Sequence, residues 1–294
     1  MKVIPRILGG LGNQLFSYCA ARRLALANNA ELVLDNVSGF RYDLEYQQKY
    51  QLDHFHIQAR CATASERLEP FSRIRRYIKR RVSRKSSFEE RHYIQQESNN
   101  FEPRLLQVKL SNTVYLEGYW QSEGYFKDIE PIIRSDLKII SPNDSVNLCM
   151  AAKIQNCVAV AVHVRFFDAP TSLSDNNAPH EYYNKAISMI EAFAPNAHYF
   201  LFSDNPTAAR ALIALPDTKI TLVVHNRGDA NAYADLWLMS LCKNFIIANS
   251  TFSWWGAWLA EHQNKKIFAP SLQIREGKTA WGFDGLLPDS WIKV

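Results

Sequence analysis

Cys157-Val-Ala-Val-Ala-Val-His-Val-Arg165 is a run of small and β-branched apolar residues that closes on two nitrogen-rich side chains. Its length and lack of polar alternation fit a strand buried on both faces, the situation of a parallel sheet covered by helices on each side. Shorter apolar runs at 199–202, 220–224, 245–248 and 267–269 also read as strands, with helically periodic stretches between them. Alternating strand and helix specify a doubly wound α/β sheet for the second half of the chain.

The first half is less regular. A strand is expected near 3–8, a helix over 13–28 and a strand at 31–34, followed by long polar stretches. With 294 residues, 47% of them hydrophobic, the chain can bury two cores of roughly 100 to 150 residues each. Pro142, Asn143 and Asp144 form the best linker, dividing an N-terminal domain (1–145) from a C-terminal one (146–294).

Chemistry gathers where the strands end. His163 and Arg165 are two residues apart and so fall on one face of their strand, at the carboxyl edge where open α/β sheets bind ligands. An anion such as a phosphate would satisfy the half-buried guanidinium; a carboxylate, Asp168 or Asp204, would do so equally. Ser203-Asp204-Asn205-Pro206 brings another carboxylate to that edge, either for a nucleotide base or ribose or as a helix cap. The run 244–248 leads into Asn249-Ser-Thr-Phe-Ser-Trp-Trp-Gly-Ala-Trp258, where capping residues open an apolar helix. The free amides and positive dipole end of such a helix seat anions, so Asn249, Ser250, Thr251 and Ser253 are candidates, while Trp254, Trp255 and Trp258 pack at helical spacing.

Near the N-terminus, Leu8-Gly-Gly-Leu-Gly-Asn-Gln-Leu-Phe16 reads as a strand end, a glycine turn and a helix start. Leu15 stands where the third glycine of a dinucleotide fingerprint belongs, so close backbone approach to a ligand is what these glycines indicate. No Asp-x-Asp pair offers carboxylates for a divalent ion on a diphosphate. An arginine with a helix N-terminus would neutralise it instead, and no metal or other cofactor is expected.

Composition narrows the classes further. Five scattered cysteines without paired or zinc-type spacing read as reduced thiols in a cytosol. Residues 1–23, interrupted by Pro5, Arg6, Asn13 and Gln14, lack the apolar centre of a signal peptide, and no long apolar span follows. The net charge of +5 is modest, but eight basic residues and no acidic one lie between Arg73 and Lys85. As a helix, this segment sets Phe71, Ile74, Ile78 and Val82 opposite a dense basic face. It would lie on an anionic membrane or be a solvated surface helix. A nucleic-acid-binding protein is a further class, with no recognised binding motif to support it.

Taken in order, Gly9-Gly-Leu-Gly-Asn-Gln-Leu-Phe16, Leu116-Glu-Gly-Tyr-Trp-Gln121 with Tyr125 and Phe126, Val162-His-Val-Arg165, Phe202-Ser-Asp204 and Ala248-Asn-Ser-Thr-Phe-Ser-Trp-Trp255 resemble the family 11 α-1,2-fucosyltransferases over almost the whole chain. The resemblance implies a GT-B fold, two Rossmann-like domains facing across a cleft. It implies inverting transfer of L-fucose from GDP-β-L-fucose to a glycan hydroxyl by a bacterial, cytoplasmic enzyme of surface polysaccharide synthesis, with no nucleic acid involved.

Carried over residue by residue, Arg165 would bind the β-phosphate with support from His163. Asp204 would address the guanosine, and Asn249, Ser250, Thr251 and Ser253 would lie near the diphosphate. Asn13 and Gln14 would face the cleft from the acceptor-side domain. Tyr119, Trp120 and Gln121 would line the acceptor site or, for the tryptophan, the core. An oligosaccharide acceptor on a lipid carrier would bring the enzyme to the inner face of the plasma membrane. His163-Val-Arg-Phe-Phe-Asp168 departs from the family's His-x-Arg-Arg-Gly-Asp, with Phe166 and Phe167 replacing an arginine and a glycine. A transferase for another nucleotide sugar and a non-catalytic glycan-binding module are the competing readings.

Overall fold

The computed structural model describes residues 1–41, 47–169, 176–274 and 280–294. They form two compact units, Met1–Lys138 with Asp284–Leu286, and Ile139–Phe283 with Leu287–Val294. The main division falls after Lys138, ahead of the expected 145/146 boundary, and Asp144 lies within the second unit, where its carboxylate caps a helix by accepting from the Asn147 amide at 2.9 Å. Asp284–Leu286 joins the first unit because the Asp284 carbonyl accepts from the Phe101 amide at 2.9 Å and Gly285 packs against Phe101.

The first unit holds strands β1 (Lys2–Pro5), β2 (Glu31–Leu34), β3 (Arg60–Cys61), β4 (Tyr93–Gln95) and β5 (Val114–Glu117), with helices α1 (Leu11–Ala27), α2 (Ser72–Ser83) and α3 (Glu130–Asp136). Its sheet has the order β3-β2-β1-β5-β4 with every pair parallel. Helix α1 is buried along most of its length, from Leu11 to Ala25. Tyr18 and Arg22 anchor it to α3 by donating to Asp136 at 2.7 and 2.8 Å. Helix α2 is held by the opposite face from the one its apolar stripe would suggest. Arg76 points inward and pairs with buried Asp35 at 2.8 Å.

The second unit comprises α4 (Ser145–Gln155), β6 (Val158–Val164), α5 (His180–Phe193), β7 (Ala197–Ser203), α6 (Pro206–Leu212), β8 (Ile220–Val223), α7 (Ala232–Ser240), β9 (Asn244–Ile246), α8 (Thr251–Leu259), β10 (Ile267–Ala269) and β11 (Ile292–Lys293). Its six strands are all parallel in the order β11-β10-β9-β6-β7-β8. That is the doubly wound order of a Rossmann domain, with β6 as its first strand and β9 as its fourth. Val160, Val162 and Val164 of β6 pack with Tyr183, Ala186, Ile187 and Ile190 of α5 in one core cluster. The tryptophans of α8 are core, as their spacing suggests: Trp254 and Trp255 are fully buried, their rings 4.9 Å apart, and Trp254 lies 5.3 Å from Trp291.

Candidate active site

In a doubly wound sheet the crevice for a ligand opens where consecutive connections leave a strand toward opposite sides. In the second unit that point lies at the carboxyl ends of β6 and β9. The first delivers His163 and Arg165, the second Asn249 and the start of α8.

Arg165 follows β6 directly and is half-buried. Its Nη1 lies 3.2 Å from Asp204 Oδ2, beyond the end of neighbouring β7, and the other Asp204 oxygen accepts from the Phe166 amide at 3.2 Å. Of the two carboxylates that could meet this arginine, the structure selects Asp204. Expected at the guanosine, Asp204 here holds the guanidinium and the turn after β6. The two phenylalanines that replace the family's arginine and glycine have separate duties. Phe166 packs on the core of the unit, and the Phe167 ring lies 5.7 Å from the Arg165 guanidinium carbon, a cation–π distance.

His163 is buried, with its ring centroid 5.6 Å from that of Phe252 in the first turn of α8. Burial, aided by the nearby Arg165 charge, pushes its pKa down to about 3, so the ring is neutral at physiological pH. It brings no charge to a phosphate; it offers a neutral imidazole whose Nδ1 is buried without a partner. Asn249 is buried too. Its amide nitrogen donates to the Asn176 carbonyl at 2.8 Å, while its Oδ1 has no hydrogen-bond partner. Two buried polar atoms without a protein partner at one sheet edge are costly to leave dry, so water or a bound group completes them.

Helix α8 begins with Ser250 as N-cap, whose hydroxyl accepts from the Phe252 amide at 3.3 Å, and no acidic side chain occupies its first turn. Thr251 is half-buried at the first helical position. Ser253, expected near a diphosphate, is instead fully buried with its hydroxyl donating to the Ser250 carbonyl at 3.3 Å, so it fastens the turn from inside. Asn176 and Asn177 were not singled out from sequence. Asn177 Oδ1 accepts from the Phe167 amide at 2.7 Å, and Asn176 Nδ2 donates to Asp168 at 2.7 Å, tying the turn after β6 to Asn249. Only the fold makes them neighbours.

In the first unit β5 lies beside β1, on the side away from β2. There the glycine turn after β1 meets the segment after β5, two motifs more than 100 residues apart. Gln121 Nε2 donates to Asn13 Oδ1 at 2.7 Å, and a Cβ on Gly9 would come within 3.0 Å of both Asn13 and the Tyr119 ring. Gly9 also has φ of +78°, so only glycine fits this turn without strain. Gln14 does not share the exposure expected of it. It is fully buried, donating to the Gly9 and Lys49 carbonyls at 2.8 Å and accepting from the Gln51 amide at 3.0 Å. Trp120 is likewise buried, edge-on to Tyr125, and belongs to the core. Beside the glycine turn lies an open cavity of ≈ 420 Å³, lined by Phe40, Arg41, Gln48, Lys49 and Tyr50 among others. Among the described residues, no group of three or more His, Cys, Asp and Glu side chains is arranged to hold a metal ion.

The sequence profile of glycosyl transferase family 11 matches residues 6–279. The chain belongs to that family and is a glycosyltransferase. Among its relatives, the O-antigen biosynthesis glycosyltransferase WbnK of Escherichia coli is 30% identical, over 97% of this chain and 98% of that protein. The alpha-1,2-colitosyltransferase of Escherichia coli is 27% identical, over 99% and 98%. Of solved structures, fucosyltransferase NodZ from Bradyrhizobium superposes with a TM-score of 0.51 at 17% identity, over 88% of this chain and 92% of that one. A mutant of Arabidopsis thaliana FUT1 in complex with GDP superposes with a TM-score of 0.50 at 13% identity, over 95% and 71%. At these identities the likeness establishes the fold, a GT-B fold of two parallel α/β units.

Proposed function

We propose that this glycosyltransferase is an inverting α-1,2-fucosyltransferase, moving L-fucose from GDP-β-L-fucose to a galactoside hydroxyl in the synthesis of a bacterial surface polysaccharide such as O-antigen. The observation that carries the reading is the edge shared by β6 and β9. A cation, a helix N-terminus without acidic neighbours and two unsatisfied buried polar atoms converge there. Together they suit a diphosphate leaving group. The acceptor hydroxyl attacks the anomeric carbon in line and gives up its proton to solvent, while the bond to the β-phosphate oxygen breaks and GDP leaves. Charge growing on GDP meets Arg165 and the dipole of α8, in the role that a divalent ion fills elsewhere. Family membership supports transfer from an activated sugar, and the GDP complex of the Arabidopsis FUT1 mutant supports the nucleotide.

On this reading Ser250, Thr251 and Asn249 flank the diphosphate and His163 presents a neutral ring to it. Asn13, Tyr119 and Gln121 belong to the acceptor side. The colitosyltransferase relative favours a second donor, GDP-colitose, whose sugar lacks the 3-hydroxyl of fucose. The test is calorimetric titration with GDP, UDP and CMP, without and then with magnesium. Turnover with GDP-fucose and GDP-colitose and determination of the product linkage follow. Binding of GDP alone without metal is expected, with fucose transferred α-1,2. UDP preference, or binding that requires magnesium, would overturn the donor assignment, and transfer of colitose alone would replace fucose.

A further inference from the structure

Helix α2 is mounted inside out. An amphipathic helix on a water-soluble surface normally turns its apolar stripe to the core, yet here Arg76 and Ser83 are the buried positions. Arg76 donates to Asp35 and to the Arg67 carbonyl at 2.9 Å. The Ser83 hydroxyl accepts from the Tyr93 amide at 2.9 Å, while Lys79 and Arg80 lie over the rings of Tyr115 and Tyr93. The apolar side chains are left in solvent. Phe71 is 71% exposed, Ile74 59%, Tyr77 56%, Ile78 53% and Val82 60%. Phe71, the N-cap residue, sits at φ of +64°, an uncommon conformation for a bulky residue.

Cations frame the patch. On a helical projection Arg75 lies on one side of the Ile74–Ile78 line and Arg81 on the other, and Lys85 follows just past the end of the helix, all exposed. Among the described residues, Arg73, Arg75, Lys79, Arg80, Arg81, Arg84 and Lys85 form no ion pair. An exposed apolar strip this long is unusual on a soluble protein. A water-filled or acidic protein partner would meet only half of it. An apolar stripe in a rim of unpaired cations has the two complements of an anionic bilayer: acyl chains below and phosphates around.

We propose that α2 docks the protein on an anionic phospholipid surface, with Phe71, Ile74, Ile78 and Val82 entering the headgroup boundary and Arg75, Arg81 and Lys85 meeting lipid phosphates. The advantage, access to an acceptor carried on a lipid, rests on the glycosyltransferase reading. Docking itself requires no donor, so the two fail separately.

The experiment is flotation of the full chain with phosphatidylglycerol-containing vesicles and with pure phosphatidylcholine vesicles at physiological salt, beside light scattering without lipid. Native protein should float with the anionic vesicles only. Arg81→Gln with Lys85→Gln should lower partitioning roughly twenty-five-fold, at about fivefold per charge. Ile74→Ser with Ile78→Ser should lower it more than about tenfold from lost apolar insertion. Both pairs alter exposed side chains, so circular dichroism and GDP affinity should stay at native values. No flotation with anionic vesicles overturns the proposal. So does flotation insensitive to the isoleucine pair, which would mark simple polyanion contact. A lipid-independent dimer that the isoleucine pair dissolves, without vesicle binding, would assign the face to a second copy.

Discussion

Replacing Arg165 by alanine separates the two duties this side chain could have. If it only stabilises the sheet edge, its worth is that of its ion pair with Asp204. The pair spans 3.2 Å, with the two side chains 38% and 31% exposed. At that exposure Coulomb attraction is screened by water, and such pairs contribute about 1 kcal/mol or less. Loss of the Phe167 contact adds about 0.5 kcal/mol. The variant should therefore unfold in urea within about 1.5 kcal/mol of native. If Arg165 meets charge growing on the leaving diphosphate, removing it costs about 100- to 1000-fold in kcat, or about 3–4 kcal/mol of transition-state stabilisation. The assay is donor turnover under saturating acceptor, beside urea unfolding and GDP titration on the same preparation. Near-native stability with turnover down at least about a hundredfold is expected. Turnover within a few-fold of native would refute the catalytic role and return Arg165 to the sheet.

Two further perturbations test the scaffold. Asp235 is half-buried on α7, accepting from Asn226 Nδ2 at 2.9 Å, and desolvation raises its pKa to about 7 from an ordinary 3.8. The folded state thus holds a proton there that the unfolded state releases, so stability falls as pH rises between about 4 and 7 and stays reduced above that. Asp235→Asn should leave stability nearly unchanged near pH 4 and raise it by on the order of 4 kcal/mol at pH 8; urea unfolding at the two pH values checks this, and an equal change at both would refute it. Arg76→Met leaves the buried Asp35 carboxylate with only Ser38 and backbone partners and should cost about 3 kcal/mol or more. Asp35→Asn in the same chain should restore part of that loss, measured as a double-mutant cycle.

The second unit was the more legible because β6 announces itself. Seven apolar or nearly apolar residues in a row belong to a strand covered on both faces, and the strands around it inherit the interpretation. The first unit hid an equally parallel sheet, since β3, β4 and β5 run two to four residues and β5 alternates in burial, which gives periodicity too few positions to register. Long connections between such strands then pass for irregular chain. Side-chain direction was harder still. Asn13 and Gln14 are adjacent on α1 and so point about 100° apart: one meets Gln121 beside the glycine turn, the other is sealed inside. Ser250 and Ser253 divide in the same way between capping the helix and fastening it. For α2 the stripe was visible, but which face would dock depended on Asp35, 41 residues upstream, and local pattern carries no trace of so distant a partner.

What linked the scattered motifs was topology. In each sheet the first strand has a neighbour on both sides, and most of the residues singled out for chemistry arrive by that strand and one beside it: β6 and β9 in one unit, with Asp204 from β7, and β1 and β5 in the other. A parallel strand buried on both faces has no room for polar groups along its length, so it delivers them at its carboxyl end. The glycine turn and the His163–Arg165 pair are therefore two instances of one constraint. Each follows the first strand of its sheet, where a backbone that closely packed can next afford an exposed or charged atom.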